Sequence, residues 1–273
     1  MRNKKVKISI IIPCYNTEKY INNMFSTLRN QSFDDYEVIF VDDGSTDNTN
    51  KIIQNYLKEN HRAKLITLPV NMGAGNARNI GIQNCKGEYV MFLDSDDMSS
   101  EDFLQIAYKT AKKENVDITL FKTNYYNYEK NRLYNDDVFW LWHYKKCPIE
   151  TVFTKEDVKD RLFSFCRGVL WNKLFKRKLI TDNNLVFLNT PKHNDTYFVY
   201  TAYACANTFY VIDKILYTYC VHRPDSITYD GGSRICQKAN YMALYQFLQT
   251  RGLLEEYGAA LDSELGFVFK HAQ

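Results

Sequence analysis

Five short apolar runs alternate with stretches of helical spacing through the first 120 residues, and that alternation restricts the fold more than any other feature of the chain. Lys7–Ile12 is β-branched and stops at Pro13. Tyr20, Ile21, Met24, Phe25 and Leu28 follow at the spacing of a buried helix face, with Thr17 as candidate N-cap. Glu37–Val41 is halted by Asp42-Asp43-Gly44-Ser45, and Asp47 can cap a helix that turns Ile52, Ile53, Tyr56 and Leu57 inward. Lys64–Leu68, Glu88–Leu93 and Asp117–Phe121 are the remaining strand runs. Between them lie a helix over Ala74–Asn84 and one with Phe103, Leu104, Ala107 and Ala111 inward, opened by a Ser99/Asp102 capping box. This order predicts an α/β fold with a Rossmann-like, mostly parallel sheet and helices on both faces. Ligands of such sheets gather outside the carboxyl ends of the strands. Pro13–Asn16, Asp42–Ser45, Asn71–Arg78 and Asp94–Asp97 are thereby expected on one rim.

Composition narrows the function classes. Lys and Arg number 35 against 32 Asp and Glu, a formal net charge of +3 over 273 residues. No block of about five like charges occurs, so nucleic acid is not an expected partner. The seven cysteines include no CxxC pair, which excludes a zinc ribbon or thioredoxin-like site, and the reading is a reducing cytoplasm. Met1–Lys5 and the apolar run to Ile12 resemble a leader only in outline, because Lys7 interrupts the run and no small-residue cleavage site follows. No stretch of about 18 apolar residues is present, so membrane contact is expected only at the periphery.

Aromatic residues are the one excess, with 21 Tyr, 17 Phe and 3 Trp making up 15% of the chain. They gather in Tyr125–Tyr144 and Tyr197–Tyr219. Rings of this kind either fill cores or receive the C–H faces of sugars. Tyr125–Tyr144 with Trp171 is a candidate sugar platform, with one of Trp140, Trp142 or Trp171 expected in the cleft. From Ser233 onward, Tyr241, Leu244, Tyr245 and Leu248 mark one face of a helix. No internal repeat or Pro/Gly linker separates the halves, so the second half is expected to pack on the first.

Three motifs carry chemistry. In Phe92-Leu93-Asp94-Ser95-Asp96-Asp97, alternation puts Asp94 and Asp96 on the same side of a strand end. Two such carboxylates repel unless a cation lies between them, and Mg²⁺ or Mn²⁺ takes oxygen ligands of this type while bridging to phosphates. Capping of the next helix is the competing reading. An EF-hand is excluded because Gly and Glu are missing at the required offsets. In Val41–Asp47, Gly44 permits a tight turn and a carboxylate can accept from a base or ribose; turn chemistry alone also accounts for Gly44 and Ser45. Asn71–Asn79 fails as a dinucleotide fingerprint, since Arg78 stands where the third Gly belongs, and no GxxxxGK[ST] occurs. What remains is a loop entering a helix with Arg78 on its first turns, suited to a diphosphate or to nothing more than a loop–helix junction.

Ile10-Ile11-Ile12-Pro13-Cys14-Tyr15-Asn16, Val41–Asp47, Asn71–Asn79 and Phe92–Asp97, in that order and spacing, resemble family 2 glycosyltransferases of the GT-A fold. Trp171–Arg177 resembles the family's WNKL(Y/F)KR segment, His193–Phe198 sits where members often carry Glu-Asp, and Tyr217–Thr228 resembles its Tyr-rich basic stretch. The resemblance implies a nucleotide-sugar-binding half over residues 1–122, an acceptor-binding and catalytic half of the same domain over 123–232, and a C-terminal helical segment over 233–273. It implies that Pro13, Tyr15, Asp42, Asp43, Asn71, Arg78, Asp94 and Ser95 bind the nucleotide, and that Asp94 and Asp96 hold Mg²⁺ or Mn²⁺ with the diphosphate. Asp195 would be the general base, although Asn194-Asp195 also reads as a cap for a helix over Thr196–Ala206. His222 and Arg223 would lie over the leaving diphosphate, and Trp171 and Asn172 would face the acceptor. Two positions depart from the pattern: Asn194 stands where Glu is usual, and Cys220 where Arg is common.

The activity so implied is inverting transfer of a sugar from a nucleotide donor, UDP-linked, to a glycan or lipid-linked saccharide in surface polysaccharide biosynthesis. It would take place in the cytoplasm at the inner membrane face, with Lys173, Lys176, Arg177 and Lys178 as headgroup contacts or as a solvated helix end. A sugar-phosphate nucleotidyltransferase is one alternative; it would favour a Gly-rich basic loop where Pro13-Cys14-Tyr15-Asn16 stands. A non-catalytic nucleotide- or glycan-binding module is the other, and Asp94, Asp96 and Asp195 argue against it.

Overall fold

The computed structural model describes residues 5–134, 147–222 and 233–270. Its strands are β1 (Ile8–Cys14), β2 (Tyr36–Asp42), β3 (Ala63–Thr67), β4 (Tyr89–Phe92), β5 (Met98–Ser99), β6 (Ile118–Asn127), β7 (Arg132–Tyr134), β8 (Val152–Thr154), β9 (Lys173–Lys176) and β10 (Thr208–Val221). Its helices are α1 (Ile21–Arg29), α2 (Thr49–Glu59), α3 (Ala74–Gln83), α4 (Phe103–Glu114), α5 (Arg177–Asp182), α6 (Asn194–Cys205), α7 (Ser233–Thr250) and α8 (Leu254–Lys270).

The sheet runs β3-β2-β1-β4-β9-β6-β10-β5, with β7 beside β6 and β8 beside β10. β3, β2, β1 and β4 are parallel, as are β6 and β10, and these ladders hold most of the paired residues. β1 lies between two strands and under helices on both faces, so Ile8, Ile10, Ile11 and Ile12 are all fully buried. Alternation then sorts the core. Ile10 and Ile12 join Met24, Phe25, Phe40, Tyr56 and Phe103 under α1, α2 and α4. Ile11 joins Ala77, Phe92, Phe175, Phe198 and Tyr203 under α3, α6 and the C-terminal helices. Gly81 lets α3 lie directly on β1, since a Cβ there would collide with Ile11 Cγ2.

The fifth strand does not continue the parallel block beside β4. Antiparallel β9 inserts between β4 and β6, pairing Met91 with Leu174 and Ile118 with Phe175. Its side chains Leu174 and Phe175 are fully buried, one in each core. β6 outruns its expected end at Phe121 because β10 pairs it as far as Asn127, and it carries the sheet across residue 122.

Local signals fared unevenly. Asp47 is one residue short of the cap: Asn48 is the N-cap of α2 and makes no side-chain cap bond, while Asp47 accepts from Thr49 N at 2.9 Å from the residue before it. Thr17 opens α1 through its carbonyl, which accepts from Tyr20 N and Ile21 N, rather than through a side-chain cap. The Ser99/Asp102 box does not form: Ser99 belongs to β5, and Ser100 donates to Asp102 Oδ1 at 2.7 Å instead. On α7, Tyr241, Leu244 and Leu248 face inward as expected, but Tyr245 is 46% exposed. Much of Tyr197–Tyr219 is core: Phe198, Tyr200, Tyr203 and Phe209 are buried.

Candidate active site

The loops after β1, β2 and β3 are laced together by short side chains. Asn16 N donates to Ser45 Oγ at 3.0 Å, and Thr46 N donates to Asn16 Oδ1 at 2.8 Å. Asp42 is buried and accepts from Ser45 N at 3.1 Å and Asn50 Nδ2 at 2.7 Å. Asp43 accepts from Met72 N and Gly73 N, both at 2.8 Å, so its two oxygens hold the loop before α3. Gly44 is required between them: its φ is +70°, and a Cβ would lie 2.6 Å from the Val70 carbonyl carbon. Both carboxylates of this motif therefore shape the rim. Of the residues the sequence offers for the nucleotide on these loops, Tyr15, 43% exposed, the exposed Asn71 and the partly buried Pro13 still face solvent.

The centre of the rim is Arg78, buried on α3. Nη2 donates to Asp94 Oδ1 at 2.8 Å and Nη1 to Asn194 Oδ1 at 2.7 Å, while the guanidinium lies 5.6 Å from the Phe187 ring centre. One planar cation thus joins the end of β4 to the start of α6. Asp195 lies in the first turn of α6, which begins at Asn194 rather than Thr196, so it is a helical residue and not the cap. Burial raises the Asp195 pKa above the ordinary aspartate value and the Asp94 charge adds to this, while Arg78 and His193 oppose it. His193 precedes the helix with φ 56°, and burial lowers its pKa.

Ser95, Asp96 and Asp97 are buried beside Asp94. Asp97 accepts from Tyr217 Oη at 2.7 Å and Cys220 N at 2.8 Å, which ties the loop to β10. Asp94 N in turn donates to Tyr217 Oη at 3.4 Å. Desolvation raises the Asp97 pKa strongly, and Asp96 and Asp94 add to it. Tyr217 was not singled out from the sequence, where only its membership of a Tyr-rich stretch pointed to it. Trp171, 6% exposed, stacks on Tyr217 and Tyr219 at 5.7 and 5.2 Å, so it is a core ring behind Tyr217 and does not present its face to an acceptor.

Other expected residues fall elsewhere. Asn172 is fully buried, donates to Cys166 Sγ at 3.8 Å and accepts from Lys173 Nζ at 2.6 Å, so it offers no group to an acceptor in this conformation. Lys173 is no headgroup contact: it is fully buried, and Nζ also donates to the carbonyls of Arg167 and Val169 at 2.9 and 2.6 Å. Lys176 bonds Asn115, Arg177 bonds the Gly87 carbonyl, and Lys178 pairs with Asp182, so the run is not an open cationic face. His222 has φ 56° and lies 4.0 Å from Glu129. Arg223, Trp140 and Trp142 lie outside the described residues.

Among the described residues no three His, Cys, Asp or Glu side chains form a metal cage. Asp94 and Asp96 still fit a divalent cation by donor chemistry. They do not share a strand face as alternation suggests, because β4 ends at Phe92 and Asp97 N closes a turn on the Asp94 carbonyl at 3.4 Å. They are hard oxygen ligands two residues apart on that turn, and Mg²⁺ commonly takes one or two carboxylates and fills its shell with water and substrate phosphate.

A mostly parallel sheet whose carboxyl rim gathers acidic groups around a buried Arg defines a GT-A-type α/β architecture. The chain matches Glycosyl transferase family 2 over residues 9–181 and belongs to that family. It is 32% identical over 273 residues to the putative glycosyltransferase EpsH of Bacillus subtilis strain 168, covering 97% of this chain and 75% of EpsH. It is 34% identical over 225 residues to a poly(ribitol-phosphate) beta-glucosyltransferase of Bacillus spizizenii, covering 80% of this chain and 33% of that protein. Among solved structures it superposes on S. aureus TarS 1-349 in complex with UDP-GlcNAc with TM-score 0.72 and 25% identity, over 89% of this chain and 66% of that one. Membership of this family sets the nucleotidyltransferase alternative aside. No described helix is long and apolar enough to cross a membrane.

Proposed function

We propose that this chain is an inverting glycosyltransferase that uses a UDP-sugar and a divalent cation to extend a glycan or lipid-linked saccharide in surface polysaccharide biosynthesis. The observation that carries the reading is the Arg78 bridge, because it brings the acidic strand end and the Asp195 helix into one cleft. A neighbouring fold crystallised with UDP-GlcNAc supports the donor class.

In this reading Asp195 takes the proton of the acceptor hydroxyl as that oxygen forms its bond to the anomeric carbon. The bond from the anomeric carbon to the diphosphate oxygen breaks on the opposite face, so configuration inverts and UDP leaves with the electron pair. A divalent cation bound by Asp94 and Asp96 would neutralise charge on that diphosphate. Arg78 holds Asp94 in place and adds fixed positive charge beside it. Tyr15 and the exposed Val70 and Met72 give the nucleotide side an apolar edge against which a base can stack.

The test is hydrolysis of a UDP-sugar panel with Mn²⁺. Turnover of at least one donor, lost in Asp94→Asn, is expected; no turnover of any donor by the intact chain contradicts the reading.

A further inference from the structure

A groove of about 290 Å³ lies between α1 and β5, lined by Asn23, Ser26, Asn30, Met98, Ser99 and Glu101 among others. β5 starts at the residue after Asp97, so one wall continues the acidic loop of the candidate site. The other wall is the exposed face of α1, where Asn23 and Ser26 lie three residues apart, and its C-cap Asn30.

At Asn23 the groove meets a cluster of rings. Asn23 Nδ2 donates to Tyr128 Oη at 3.2 Å. The Tyr128 ring packs edge-on against Tyr20 at 5.9 Å and Tyr126 at 5.1 Å. Tyr128 N donates to the Val221 carbonyl at 3.1 Å, next to His222. Groove and rings therefore meet on the α1 side of the sheet, at the ends of β6 and β10.

The lining selects a ligand class. Amides and hydroxyls match sugar hydroxyls, which both donate and accept. Met98 and the tyrosine rings suit C–H faces. No Lys or Arg lines the groove among the described residues, and Glu101 puts a carboxylate there. A phosphate-rich chain wants Arg or Lys along its path; the groove itself offers neither, and the exposed Lys130 and Arg132 stand only in the turn between β6 and β7 beside the rings.

We infer that the groove and the Tyr20–Tyr126–Tyr128 cluster form an acceptor subsite for an uncharged saccharide chain longer than the sugar that receives the transfer. The inference rests on the glycosyltransferase reading above and adds the acceptor class. Each sugar seated beyond the reacting one adds contacts, so affinity climbs with chain length until the groove is filled.

The experiment measures retention of the full chain on an array of neutral oligosaccharides, one sugar upward, beside poly(ribitol phosphate), with UDP binding followed separately by calorimetry. Neutral chains of three or more sugars are expected to bind about tenfold or more tightly than single sugars, with the polyanion below them. Ser26→Trp, a change at an exposed helix position that fills the groove, is expected to erase the length dependence. Retention of the polyanion above neutral chains, retention of no neutral chain, or a length dependence that survives Ser26→Trp overturns the inference. A wild-type chain that fails to bind UDP counts against the glycosyltransferase reading instead.

Discussion

Arg78 on α3 and Asn194 on α6 stand 116 residues apart in the chain and 2.7 Å apart in space. An uncharged amide thus occupies one side of the guanidinium while the Asp94 carboxylate occupies the other. The arrangement leaves Arg78 less neutralised than two carboxylates would. Replacing Arg78 by Lys keeps the charge but not the planar fork that reaches both partners. Arg78→Lys is expected to weaken UDP binding and lower turnover together, each by about tenfold or more, the scale of a lost charge-assisted hydrogen bond. Calorimetry with UDP and single-turnover kinetics would read both; unchanged values would remove Arg78 from the site.

Asp195 carries a pH prediction with a definite sign. Only its ionised form can accept a proton, and burial raises its pKa. Transfer should therefore fall as pH drops through a value above that of an ordinary aspartate, and the acidic limb should vanish in Asp195→Asn. That variant should lose about 10²–10⁴-fold in rate, the usual span for a general base, while still binding UDP. The rate–pH profile decides: a limb at the ordinary carboxylate position means that another group is the base.

Tyr217 and Asp97 form a buried hydrogen bond of 2.7 Å between β10 and the loop after β4. Tyr217→Phe removes the donor and leaves a buried carboxylate short of one partner. The expected cost is about 1–3 kcal/mol of stability, read by urea denaturation. A variant as stable as the parent would show that the loop holds without the tie.

Glu264 on α8 is buried and accepts from Tyr200 Oη at 3.1 Å. Burial raises its pKa, so the folded chain binds this proton more tightly than the unfolded chain does. The associated stability is present at low pH and is lost as pH rises from the ordinary glutamate value through the folded one. Glu264→Gln retains an acceptor and cannot ionise. It should melt no lower than the parent at neutral pH and show a flatter melting profile below it. A parent profile without this decline toward neutral pH would contradict the account.

The four motifs and the first four strands were legible because each is a local pattern: an apolar run, a turn, a cap and the next amphipathic face. β9 was not. Its four residues begin and end with Lys, and Lys173 is tolerated in the interior because the carbonyls of Arg167 and Val169 and the side-chain amide of Asn172, all in the turn just before it, accept from its ammonium group. Tyr217 was hidden for a similar reason, since its meaning lies in Asp97, 120 residues away. Asp43 was legible as a rim residue but not as the anchor of the loop before α3, because a carboxylate that binds ligand and one that binds backbone amides look alike in sequence. Asn194 was noticed as a departure, and only the fold shows that its amide still meets Arg78.

The proposed function depends most on UDP being held by a divalent cation at the acidic turn after β4. Melting of the intact chain with UDP, with Mn²⁺ and with both together, repeated for Asp96→Asn, measures it directly, because a ligand bound only by the folded state must raise the midpoint. The expected result is a rise that needs UDP and Mn²⁺ together in the parent and is absent in Asp96→Asn. An equal rise with UDP alone, or a rise that persists undiminished in Asp96→Asn, would contradict it.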